Sequence, residues 1–140
     1  MCGIIAVLRR RCARAVPERR EIESSIQAAL AIDLSLDADR LAPALDAASE
    51  QLEKVDRLLR GPSGARCLIG DPALADMIGR ELRSLDSHIE ALEADLDRGT
   101  REWSGATVEG VNRGLVRLRD AAWSVSRDRL RTAQEIGRLA

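Results

Sequence analysis

Cys2 follows Met1 directly, and this pair has the clearest capacity for chemistry in the sequence. A small second residue favours removal of the initiator methionine, which leaves a thiol and a free α-amine on one residue. An α-amine titrates near ~7.7–8.0 and an ordinary thiol near ~8.5, so the amine can take the thiol proton directly or through one water. Cys2 would then be a nucleophile that carries its own general base. Gly3 beside it lets a substrate approach the backbone closely.

The remaining reactive side chains offer less. Cys12 and Cys67 are far from Cys2 and from each other, with no Cys-x-x-Cys pair, so the three thiols do not read as a disulfide framework. A single imidazole, His88, cannot make a zinc site without clustered cysteines, and no metal or other cofactor is implied. Gly61-Pro62-Ser63-Gly64 lacks the lysine and spacing of a phosphate loop and reads as a turn. Arg113, Arg117, Arg119, Arg127, Arg129 and Arg131 interleave with Glu109, Asp120, Asp128 and Glu135, which marks a solvated mixed-charge face rather than a nucleic-acid stripe. Trp103 and Trp123 are expected to pack against neighbouring helices with the indole N–H exposed.

A terminal nucleophile must be held rigidly, because chain ends fray. The segment Gly3–Leu8 is a continuous apolar run rich in β-branched residues, the pattern of a strand buried on both faces. No other segment supplies a convincing strand to pair with it. Helical spacing takes over instead, with helices expected over about 17–33, 40–60, 72–97 and 107–138. Pro17 suits a first helical position, ahead of Ile22, Ile26, Ala29 and Leu30. Leu41, Leu45, Ala48, Leu52, Val55 and Leu59 make one seam at alternating steps of four and three. A second seam runs from Leu74 through Ile78, Leu82, Leu85, Ile89 and Leu92 to Leu96, behind the start signal Asp71-Pro72 and ahead of Gly99. The two seamed helices, about 30 and 40 Å long, are expected to be antiparallel neighbours. The fourth helix carries Val108, Val111, Leu115, Leu118, Ala122, Val125, Ala133 and Ile136.

Composition agrees with a mainly α chain of 140 residues: the apolar share is 45%, with no Phe or Tyr. Charged residues make up 32% and cancel to a net −1, so no global field draws the chain to nucleic acid or to a membrane. The reduced thiols and the absence of a signal or spanning segment point to a cytoplasmic protein.

Met1-Cys2-Gly3-Ile4, followed by a buried strand, resembles the opening of the class II, N-terminal-nucleophile glutamine amidotransferases. Within them, Met1–Val7 is most similar to the glutamine–fructose-6-phosphate aminotransferases, which make glucosamine 6-phosphate. The resemblance implies that Cys2 attacks the side-chain amide of glutamine and forms a thioester, with Cys2 alone carried over as catalytic. The released ammonia would pass to a sugar phosphate on a separate domain. Residues 1–10 would be the first strand of an incomplete α+β glutaminase domain, and residues 17–140 a helical insertion. The sequence departs from the family after the strand: an Arg-Gly-x-Asp-Ser segment and later Asn-Gly and Asp residues are missing through Ala140. By itself the fragment is therefore expected to be inactive, with subunit contacts through the helices. The other functional class is a non-enzymatic helical module that presents an apolar seam to a protein partner.

Overall fold

Apolar residues recurring at three- and four-residue steps make helices with one buried face, and all elements of the computed structural model are helical among the residues it describes, 12–99 and 101–139. Cys2 and the strand expected over 3–8 lie outside the described residues. The order is α1 (Arg19–Leu30), α2 (Ala38–Leu58), α3 (Gly61–Gly70), α4 (Pro72–Asp97) and α5 (Gly105–Trp123), the last continuing through a π-helical segment (Ser124–Arg131) into α6 (Thr132–Leu139). No helix among these residues is long and apolar enough to cross a membrane.

The seams are the core. Leu41, Leu45, Leu52 and Val55 of α2 and Leu74, Ile78 and Ile89 of α4 are wholly buried, as are Ile22 and Ile26 of α1 and Val111, Leu118 and Val125 of the last helix. Each such Leu or Ile contributes roughly 1.5–3 kcal/mol through removal of its surface from water. Asp71 caps α4 by accepting from Leu74 N at 3.0 Å, and Gly99, with φ +65°, closes that helix. Ser104 caps α5 from its hydroxyl.

Four expectations need correction. Pro17 precedes α1 instead of opening it: Glu18 is the N-cap, and the helix stops at Leu30. Residues beyond Leu30 are used otherwise, since Arg101 donates to the Leu34 and Leu36 carbonyls and Ser35 binds Asp33 Oδ1 through its amide and hydroxyl. Gly61-Pro62-Ser63-Gly64 is more than a turn. Gly61, at φ +75°, does end the α2 path, but it also opens the ten-residue helix α3, with Pro62 in the first turn, where its missing N–H costs nothing.

The third correction concerns neighbours. α2 packs most closely on α5 and α1, whereas α4 lies against α1, α3 and the last helix, so the two long seams are not paired with each other. Side-chain pairs give the directions. Leu45 meets Gly114, Glu53 meets Arg117 and Asp56 meets Arg129, so α2 and the last helix run the same way. Glu93 meets Arg119 while Gly79 faces Leu130, so α4 runs against it. Glu21 meets Lys54 and Arg14 reaches the Arg57 carbonyl, so α1 opposes α2. α2 and α4 thus occupy a diagonal of the bundle, joined by α3 across one end.

The fourth is the last helix. Val125 and Leu130 are both buried at a spacing of five, which an α-helix cannot keep on one face and a π-helical turn can. Helical wheel spacing alone had carried the face from Val125 to Ala133 and passed over Leu130.

Two glycines set the close approaches. A Cβ on Gly114 would lie 2.9 Å from Leu45 Cβ, and one on Gly64 would lie 1.9 Å from the Leu59 carbonyl oxygen. Gly114→Ala is expected to cost about 1–3 kcal/mol in urea denaturation followed by far-ultraviolet circular dichroism, and Gly64→Ala more, because backbone cannot yield as a side chain does. Gly110→Ala, one turn earlier with nothing near its Cβ, is the control and should gain up to about 1 kcal/mol.

Candidate functional site

The described residues come together most tellingly at the α3 end of the bundle. Cys67 Sγ donates to the Pro17 carbonyl at 3.6 Å, and Arg14 donates to the Arg57 and Leu58 carbonyls. Gly137 of α6 lies against Ile69, where a Cβ on it would be 3.8 Å from Ile69 Cγ1. Both ends of the helical region therefore sit on one short helix. The same end carries exposed apolar side chains: Val16, Ile69, Ile136 and Leu139, the last 90% exposed.

Of the cysteines that can be placed, Cys67 lacks the surroundings of a nucleophile. Cys67 is buried, and burial, with a smaller push from the Asp71 carboxylate, raises its thiol above the usual range. Such a thiol stays protonated. Cys12 is half-buried and free. His88 is exposed on the outer side of α4, and no cluster of three or more His, Cys, Asp or Glu able to hold a metal occurs among the described residues.

No protein-family model, curated protein or solved structure matches this chain.

The arginine stripe is largely committed to ion pairs. Arg117 grips Glu53 with two bonds of 2.9 and 3.0 Å and reaches Asp46 at 3.2 Å; the hydrogen bonds from Arg117 hold the Glu53 carboxyl below its usual range. Arg119 meets Glu93 and Arg131 meets Glu135, both at 2.9 Å. Arg129 is the most buried of the set and bonds Asp56 at 2.8 Å, while Arg60 takes the other carboxylate oxygen at 2.7 Å. Asp56 thereby ties the π-helical segment to α2.

The tryptophans divide. Trp103 is half-buried against the core, with the Arg101 guanidinium 5.0 Å from its ring centre, in cation–π range. Trp123 does not pack into a helix interface as its sequence position suggested; it is 57% exposed. It stands over a groove of about 1020 Å³ between α4 and the last helix, floored by Ala75, Gly79, Leu82, Ala122 and Leu130. Sequence reasoning missed this groove because it exists only where α4 and the last helix stand apart. The only signal for it was the five-residue gap from Val125 to Leu130.

Burial alone would push the Asp56 carboxyl upward, but the hydrogen bonds and charges of Arg129 and Arg60 outweigh it and leave the group below its usual range. A depressed carboxyl adds stability above its unfolded value of about 3.9 and loses it as pH falls through the folded value. Asp56→Asn should therefore cost about 2 kcal/mol at neutral pH. The gap to the wild-type chain should close below about pH 4, as read from urea midpoints across a pH series.

Proposed function

We propose that this chain is the N-terminal part of a glutamine amidotransferase in which Cys2 is the nucleophile and its own α-amine the base. The observation that carries the reading is Met1-Cys2-Gly3-Ile4 at the head of the apolar run Gly3–Leu8. Glutamine is the ammonia donor. The thiolate attacks the amide carbon, the amine returns its proton to the leaving ammonia, and water resolves the thioester to glutamate. A sugar phosphate, fructose 6-phosphate, is the acceptor on a domain further along the chain, and the enzyme works in the cytoplasm.

On this reading residues 1–10 belong to the glutaminase domain and the helices are an insertion into it. The arrangement of the bundle supports that. An inserted domain must leave and re-enter its host at nearby points, and Pro17 and Gly137 both lie on α3. The exposed Val16, Ile69, Ile136 and Leu139 give a host domain an apolar surface to meet at that end. Cys67 is buried with a raised thiol, so the helical region offers no rival nucleophile at that position.

The complete gene product, treated with the glutamine-like electrophile diazo-oxo-norleucine and digested for mass spectrometry, should carry the label on Cys2 alone, and Cys2→Ala should abolish both labelling and glutamate release. Label on Cys12 or Cys67 instead, or none, would sink the proposal and leave the helical interaction module as the reading of this chain.

A further inference from the structure

The groove beneath Trp123 is polarised along its length. Towards α3 it is lined by Arg80 and Arg83 of α4 and by Arg127 and Arg131 of the π-helical segment; at the other end stand Asp86, Glu90 and Asp120. Arg80, Arg83, Arg127, Asp86, Glu90 and Asp120 form no ion pair with another described residue. The exceptions to the polarity are weak ones. Arg119, at the acidic end, is already neutralised by Glu93, and Asp76 is one carboxylate among four guanidinium groups, of which Arg131 is shared with Glu135. Because α4 and the last helix run in opposite directions, the pairings Glu93 with Arg119 and Gly79 with Leu130 put Trp123 level with the stretch between Asp86 and Glu90, on the acidic side of the gradient.

We infer that this groove is the interface of a two-fold symmetric homodimer, with Trp123 facing the basic half of the other copy. A two-fold rotation about an axis through the centre of the groove lays the basic end of one copy against the acidic end of the other, and does so twice. One surface thus carries both halves of the complementarity, which is what an isologous contact requires and what a foreign partner would not. The head-to-head alternative sets arginines against arginines and is repelled, so the charges fix the register. Trp123 supplies a large aromatic anchor that meets the arginine-lined half of the other copy, where a guanidinium can stack on its ring. The contact does not depend on the amidotransferase reading.

The test is sedimentation equilibrium of the 140-residue chain at low and high salt. A dimer is expected, weaker at high salt because its pairs are exposed in the free protein. Trp123→Ala and the double variant Arg83→Glu/Arg127→Glu should each weaken dimerisation by about tenfold or more while circular dichroism stays unchanged. Adding Glu90→Arg and Asp120→Arg to the double variant inverts both ends of the groove and should restore the dimer. A wild-type chain that remains monomeric at its highest soluble concentration overturns the inference. So does a dimer that survives both sets of substitutions, or a fourfold variant that stays as weak as the double one. Should the charge variants lose helicity, Trp123→Ala decides the matter, since its side chain is mostly in water in the single copy.

Discussion

The layout of the molecule depends on one close approach: Gly64 against the Leu59 carbonyl. No side chain fits there, and the approach folds α3 back over the end of α2 within two residues of Gly61. A longer or looser connection would let the chain return beside α2, as consecutive helices joined by short loops usually do. Instead α3 carries it across the end of the bundle, and α4 descends on the diagonal from α2. That leaves α2 free to take α5 as its close neighbour, with the two running in the same direction. Gly114 completes the arrangement by letting the backbone of α5 settle against Leu45.

The close packing of α2 and α5 has a counterpart on the other side of the last helix. Small residues bring one face of that helix close to α2, whereas α4 meets it through Leu82, Leu130 and long arginines, and the helices stand apart. The π-helical segment reconciles the two faces. By adding a residue to the turn between Val125 and Leu130 it keeps both in the core and rotates the arginines that follow. Arg129 then points to Asp56 and Arg127 to the groove. The Asp56 carboxylate, held by Arg129 and Arg60, makes that rotation specific: without it, little besides apolar contact would select the π register over an α-helical one.

What could be read from the sequence follows from how local the physics is. The seams of α2 and α4 were legible residue by residue, because burial of one helical face imposes its period on twenty or more residues. Asp71 before Pro72 and Gly99 after the last seam residue marked both ends of α4, since caps act within one turn. The pairing of α2 with α5 was illegible: the apolar faces are alike, and the choice rests on Gly114 and on a crossover hidden in a short segment that begins with breaker residues. α3 was missed for the same reason, since Gly61 and Pro62 break one helix and begin the next in adjacent positions. The groove was out of reach because it is a property of two helices standing apart. Cys2, which the sequence proposes as a nucleophile, lies outside the described residues of the structure.

These features divide the surface by use. Pro17 and Gly137 both meet α3, and Val16, Ile69, Ile136 and Leu139 stand exposed around them. The groove runs away from that end along the flank, with its basic half nearer α3 and its acidic half farther. On the proposed reading of the helices as an insertion, a host domain at the α3 end and a second copy on the flank do not compete for the same residues. Two hosts attached to such a dimer would sit at opposite ends, because a two-fold axis across the groove sends the α3 ends in opposite directions. An insertion of this shape would act as a spacer, holding two catalytic bodies apart at a distance set by the length of its helices rather than by contacts between the bodies themselves.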